Sequence, residues 1–202
     1  MNRPLIAVDI DDTLADSTEL IRLHVNSRYD VAIPKEAYRT EGEYWGYYEL
    51  VWAEHGVEEL TLEDFFDDEM VSEIMQVPLL PSALFAIKEL YRTFDIVIIT
   101  SRRPERGALT RKWIENMFEG MTIDVHFSEA HKDESKMTKG QICKTLGATY
   151  LIDDNVGHCE SALKEGATPL LFGEYGWHGS VPEGITRCKD WPAVLDYFNG
   201  KQ

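Results

Sequence analysis

Leu5-Ile6-Ala7-Val8-Asp9-Ile10-Asp11-Asp12-Thr13 decides how the rest of the chain is read. Four consecutive apolar residues followed by a charged turn have the composition of a short strand buried on both faces. Such strands occupy the centre of parallel sheets. Asp9, Asp11 and Asp12 then place three carboxylates at the end of that strand. At an apolar boundary they repel one another, and burial and repulsion both disfavour their charged forms. A cation or a proton has to offset this cost. The stretch therefore predicts a functional site at the end of a central strand rather than a plain acidic turn.

Outward from it, strand-like apolar runs recur at residues 95–99, 122–127, 149–152 and 169–172. Helical patterns at 104–118, 137–146 and 158–165 separate them, and 191–198 reads as a short closing helix. Gly147 and Gly166 stand where helices are expected to stop. Strand-helix alternation of this kind predicts an α/β fold, a Rossmann-like three-layer core in which helices cover both faces of a parallel sheet. Ligands of such sheets bind beyond the carboxyl ends of the strands. Here those ends carry Asp9 and Asp11, Thr100 and Ser101, Ser128, and Asp153 and Asp154.

The alternation fails over residues 16–78, which contain amphipathic helical stretches and no convincing strand. This segment holds 16 acidic and four basic residues, a net −12 of the chain's −16, so it is compositionally distinct. It is expected to be a small all-helical cap inserted into a core made of residues 1–15 and 79–202. Trp45, Tyr48 and Trp52 fall on one helical face and are expected to form the cap's core. Tyr44 and Tyr47 point elsewhere and are the better candidates for ligand contact. Pro78 and Pro81 break the helical pattern and mark the return to the core.

At 202 residues, with 44% hydrophobic and 28% charged residues, the chain has the composition of a globular protein. The negative charge argues against duplex nucleic acid, whose binding rests on Lys and Arg. No apolar stretch reaches the length of a membrane span. Cys143, Cys159 and Cys188 are scattered and form no C-x-x-C pair, which points to a reducing cytoplasm. There is no G-x-x-x-x-G-K-[ST], so a P-loop enzyme is disfavoured. Gly173-x-x-Gly176-x-x-Gly179 reads as a plain loop. Nothing in the chain specifies an oligomeric state.

The residue types at the strand ends suit phosphoryl transfer. Asp9 can attack phosphorus as a carboxylate nucleophile. Asp11 is placed to protonate the departing oxygen and then deprotonate water, and its proximity to Asp9 is expected to raise the pKa of one of the pair. Asp153 and Asp154 add hard oxygen ligands, and without a His or Cys cluster these favour Mg²⁺. Thr100 offers a hydroxyl to the phosphoryl oxygens, with Ser101 beside it, and Lys139 a compact positive charge; Lys136 is the competing lysine. Arg102, Arg103 and Arg106 follow Thr100 and read equally as phosphate ligands or as an exposed helix start.

Asp9-x-Asp11-x-Thr13, Thr100 after an apolar strand, Lys139 before a helix and Asp153-Asp154 after another strand resemble the four motifs of the haloacid dehalogenase superfamily. The resemblance runs the length of the chain in motif order and spacing. It implies Asp9 as nucleophile, Asp11 as acid/base, and Thr100 and Lys139 as phosphoryl binders. Asp9, the Asp11 main-chain carbonyl and Asp153 would hold Mg²⁺, with Asp154 close by. Within the superfamily the short helical cap and the Ile-Asp-Asp ending are similar to the 5′(3′)-deoxyribonucleotidase type, which implies a small phosphomonoester such as a nucleoside monophosphate. Asp12 departs from that type, which commonly has Gly there. A sugar-phosphate phosphatase and a non-catalytic module that binds Mg²⁺, a metabolite or a protein partner remain the alternatives.

Overall fold

The computed structural model describes residues 3–62, 73–130 and 135–200. Its centre is a six-stranded sheet of β1 (Leu5–Val8), β2 (Asp95–Thr100), β3 (Asp124–Phe127), β4 (Ala148–Asp153), β5 (Thr168–Phe172) and β6 (Thr186–Cys188), in the order β3-β2-β1-β4-β5-β6. Every pairing is parallel. The order reverses at β1, so the crevice for a ligand lies between the carboxyl ends of β1 and β4. Asp9 and Asp153 stand there.

Successive residues of each strand serve opposite faces, because side chains alternate along a strand. Ile6, Val8, Ile96 and Ile98 pack into one layer with Ala86 and Ile87 of α3 (Ala83–Leu90), Trp113 of α4 (Gly107–Met117) and Val194 of α7 (Trp191–Asn199). Ala7, Val97, Ile99 and Leu151 pack on the other side with Ile142 and Cys143 of α5 (Lys139–Leu146) and Ala162 of α6 (Val156–Lys164). The expected three layers are therefore present. β6 has no counterpart among the apolar runs of the sequence: three residues long, with exposed Arg187 at its centre, it carries no hydrophobic pattern.

Residues 16–62 supply α1 (Ser17–Tyr29), a 3-10 turn over Lys35–Arg39 and α2 (Tyr47–Glu54). Ile21, Val25, Ile33, Tyr38, Tyr47, Val51, Trp52 and Val57 bury one another, with Trp177 inserted from the β5–β6 connection. Residues 63–72 of the expected helical segment lie outside the described residues. Where the chain leaves and re-enters the sheet region, Ala15 and Leu79 form an antiparallel bridge. Asp16 N–H donates to the Pro78 carbonyl at 2.9 Å and Leu80 N–H to the Leu14 carbonyl at 2.8 Å.

The aromatic stripe is arranged differently from the helical-face expectation. Gly46 has φ 78°, a left-handed conformation that suits glycine, and α2 begins only after it. Trp45 is thereby outside the helix and 69% exposed, whereas Tyr47 is buried and donates its hydroxyl to the Thr40 carbonyl at 2.6 Å. Trp52 is core as expected.

α5 and α6 approach closely at Gly140, where an added Cβ would lie 2.2 Å from the Ser161 carbonyl oxygen. Gly140→Ala is expected to force these helices apart and lower stability by roughly 1–3 kcal/mol, measured by urea unfolding. Unchanged stability would show that the close approach is not maintained in solution.

Candidate active site

Asp9, Lys139 and Asp153 form a buried charged chain. Lys139 Nζ lies 2.8 Å from Asp9 Oδ1 and 2.8 Å from Asp153 Oδ2, and the three side chains are 0%, 8% and 0% exposed respectively. Asp9 is set by β1, its N–H donating to the Ile152 carbonyl of β4 at 3.0 Å. Lys139 is set by the capped start of α5. Thr138 Oγ1 accepts from Gln141 N–H at 3.2 Å, and Gln141 Oε1 accepts from Thr138 N–H at 2.9 Å, a reciprocal capping box. Ser161 Oγ donates to Thr138 Oγ1 at 2.7 Å, anchoring that cap to α6. Lys136, the competing lysine, is exposed and lies 3.8 Å from Glu129.

Asp153 is held from its other side as well. Its Oδ1 accepts from Asn155 N–H at 3.0 Å and lies 3.1 Å from His158 Nδ1. Asn155 caps α6 by accepting from His158 N–H at 3.0 Å, so the cap that starts the helix also aims the imidazole. Trp177 Nε1 donates to Asp154 Oδ2 at 3.0 Å. Tyr175 stacks on Trp177 with ring centroids 4.4 Å apart and donates its hydroxyl to the Asp12 carbonyl at 2.7 Å. The glycine-bearing connection that reads as a plain loop is thus a working part of the site. A Cβ on Gly176 would meet the Thr40 carbonyl oxygen at 2.0 Å, so only glycine lets the two segments touch.

At the end of β2, Thr100 is fully buried and its Oγ1 accepts from Arg102 N–H at 3.2 Å. Ser101 Oγ is buried without a partner. Ser128 turns away from the chemistry and donates to the Met137 carbonyl at 3.0 Å. Asp11 meets Arg102, whose Nε donates to Oδ2 at 2.8 Å and Nη2 to Oδ1 at 2.6 Å, while Ser17 Oγ donates to Oδ1 at 2.5 Å.

Asp12, without a role in the sequence reading, acquires one. Its φ is 54°, in the left-handed region that Gly, Asn and Asp occupy most readily. Its carboxylate accepts from Thr18 N–H at 2.9 Å and from Thr18 Oγ1 at 2.8 Å, satisfying a donor at the start of α1. Tyr48 of α2 adds a contact at 3.3 Å. Asp12 therefore joins the strand-end loop to the helical segment.

Electrostatics divide the carboxylates. Burial pushes Asp9 up to about 7 despite Lys139, and pushes Asp154 well above the carboxylate range. Burial also takes Asp12 to about 7, against its Thr18 bonds. Burial opposes ionisation of Asp153 too, but Lys139 and His158 outweigh it and hold this group at about 2. Partial desolvation opposes ionisation of Asp11, but Arg102 outweighs it and holds this group below its ordinary value. Within the Asp9–Asp11 pair the raised member is thus Asp9, and the expected acid is the lowered one. The guanidinium is the reason.

Asp9, Asp153 and Asp154 each offer an oxygen within 4.8 Å of the others. One lysine faces three buried carboxylates, and the set is all hard oxygen, so these residues fit a divalent cation such as Mg²⁺. The Asp11 carboxylate is not one of this cluster, since Arg102 holds it.

No family model matches the chain. A solved haloacid dehalogenase-like protein of unknown function from Agrobacterium tumefaciens superposes with a TM-score of 0.61 at 16% identity, over 98% of this chain and 100% of that one. The fold is that of the haloacid dehalogenase-like proteins. The D,D-heptose 1,7-bisphosphate phosphatase from B. bronchiseptica, complexed with magnesium and phosphate, superposes with a TM-score of 0.58 at 13% identity, over 98% and 99% of the two chains. In sequence, a Staphylococcus aureus (strain Mu50) protein named "Putative 5′(3′)-deoxyribonucleotidase" is 25% identical over 98% of this chain and 97% of its own length.

Two outcomes follow from this geometry. Lys139→Ala, which leaves buried carboxylates uncompensated, is expected to cost about 3–5 kcal/mol at pH 8, and Lys136→Ala less than about 0.5; equal losses in urea unfolding would contradict the buried bridge. The second concerns pH. Because the Asp9 value is raised from 3.8 to about 7, the folded protein keeps a proton that the unfolded chain releases, and this group costs stability as pH climbs from about 4 to about 7. A cation must displace that proton, so the rise in melting temperature on adding Mg²⁺ is expected to be larger at pH 8 than at pH 5.5. A rise independent of pH would contradict it.

Proposed function

We propose that the protein is a Mg²⁺-dependent phosphomonoester hydrolase that works through an aspartyl phosphate on Asp9, with a small phosphorylated metabolite such as a nucleoside monophosphate as substrate. The observation that carries this reading is the Asp9–Lys139–Asp153 chain, with Asp154 beside it, at the point where the strand order reverses. A nucleophilic carboxylate, a fixed cation and hard oxygen ligands meet there in one buried cluster.

The Asp9 carboxylate bonds to phosphorus as the bond from phosphorus to the ester oxygen breaks, and that oxygen takes a proton from Asp11. Water then gives a proton to Asp11 and bonds to phosphorus. The bond to Asp9 breaks and inorganic phosphate leaves. Thr100, Ser101 and Lys139 hold the phosphoryl oxygens. Asp9, Asp153, Asp154 and the Asp11 main-chain carbonyl would hold Mg²⁺, which offsets charge as a phosphate dianion approaches a carboxylate.

Residues 16–78 act in this reading as the cap over a core of residues 1–15 and 79–202. Tyr44, 6.4 Å from the Trp177 ring, is the cap aromatic offered to a base. Support for a nucleotide comes from the name of the Staphylococcus aureus relative at 25% identity. The acidic segment favours a small substrate over a nucleic-acid end. Cytoplasmic residence fits the three buried free thiols; no helix among the described residues is long and apolar enough to cross a membrane.

Purified protein with Mg²⁺ is expected to hydrolyse an aryl phosphate, and to prefer nucleoside monophosphates over sugar phosphates in a panel. Asp9→Asn should lower kcat by roughly 10³-fold or more. Preference for sugar phosphates would keep the mechanism and replace the substrate. Inactivity across the panel would make the protein a binding module.

A further inference from the structure

Arg102 occupies a position that competes with the proposed chemistry at rest. Its Nε and Nη2 bond both oxygens of Asp11, and Ser17 Oγ takes a further place on Oδ1. A group that delivers a proton and later receives one must reach the reacting oxygen with its own. As long as the guanidinium stays on Asp11, three of the about four acceptor positions are taken and one on Oδ2 is left for that exchange.

The guanidinium is itself incompletely satisfied. The Arg102 side chain is only 10% exposed, and Nη1 is buried with no partner. Ser101 Oγ, on the adjacent residue, is likewise buried with no partner. Leaving such donors unpaired is costly, and a pair built only for stability has no use for them. The Asp11 side chain is 40% exposed, so the ion pair is reachable from solvent. The backbone here also runs beside Thr100, since Arg102 N–H donates to Thr100 Oγ1. Trp113 supports the guanidinium, its ring centroid 5.7 Å from Cζ.

We propose that Arg102 is a ligand of the substrate's phosphoryl group, held on Asp11 until substrate arrives, and that its transfer to the phosphate frees Asp11 to move protons. This rests on the phosphatase reading. The planar fork of an arginine suits both partners, because carboxylate and phosphate each present two oxygens at matching spacing. A phosphoryl dianion also supplies acceptors for Nη1 and Ser101 Oγ, so the exchange satisfies donors that the resting pair leaves out. The latch thereby makes the acid fully available only when there is a phosphate to hold.

Titration calorimetry with inorganic phosphate in Mg²⁺ buffer tests this on wild type, Asp11→Asn, Arg102→Ala and the double variant. Asp11→Asn is expected to bind phosphate more tightly than wild type. In that background no carboxylate is left unpaired, and removing Arg102 is expected to weaken phosphate binding by roughly 10- to 100-fold. A loss below about threefold there would overturn the proposal, because a hydrogen bond to a charged group is worth more than that. If Arg102→Ala does not fold, Arg102→Gln carries the same criterion. Aryl-phosphate hydrolysis by wild type separates the two levels. Turnover without the Arg102 effect removes the latch and leaves the phosphatase, whereas a wild type that neither turns over nor binds phosphate removes both.

Discussion

Lys139 reaching Asp9 and Asp153 at 2.8 Å each, with all three side chains out of water, is the interaction on which the rest of the structure turns. Taking such charges out of water costs several kcal/mol per ion, and the cost is recovered only when the geometry is fixed and the remaining lone pairs are satisfied. The surrounding elements supply that fixity. The Thr138–Gln141 box starts α5 at Lys139, Gly140 lets α5 lie against α6, and Asn155 starts α6 while the backbone after β4 donates to Asp153. One cation does not balance three acids. Burial raises Asp9 and Asp154, and the neighbouring Asp153 raises both further, which is the condition a divalent cation meets.

A second constraint ties the strand-end loop to its surroundings. The turn after β1 closes on the Ile10 carbonyl, which accepts from both Leu14 and Ala15 N–H at 2.8 Å. Its own carbonyls are held from the far end of the chain, that of Asp12 by Tyr175 Oη and that of Thr13 by Trp191 Nε1 at 2.9 Å. Asp12 then reaches out to Thr18 and Tyr48. The strand-end loop that carries Asp9 and the helical segment are thus coupled through one left-handed residue. Glycine would accept the same φ but could not make those bonds.

Much of this was legible in the sequence where the signal is local. Buried parallel strands announce themselves as apolar runs, so β1 to β5 could be read. β6 could not, because a three-residue edge strand centred on Arg187 has no run to read. Asp9 and Asp153 could be placed together because parallel topology puts strand ends on one edge, and Lys139 because it opens the helix that runs into β4. What escaped depends on contacts between distant residues or on a single dihedral. The left-handed Gly46 displaced the helical phase and exchanged the fates of Trp45 and Tyr47. The stack of Tyr175 on Trp177, and its reach to Asp12 and Asp154, leaves no trace in spacing. Which acid of the Asp9–Asp11 pair is raised was open in the sequence: burial raises Asp9 while the grip of Arg102 lowers Asp11, and no pattern of residue types could weigh that ion pair against burial.

In the proposed reaction Asp9 takes the phosphoryl group. Rapid acid quench of the Mg²⁺-loaded protein during turnover of a ³²P-labelled phosphomonoester, followed by peptide mapping, tests it most directly. The label is expected on the peptide containing Asp9, stable to acid and lost in base or hydroxylamine as an acyl phosphate. Sustained turnover with no labelled protein, or with the label on another residue, would contradict it.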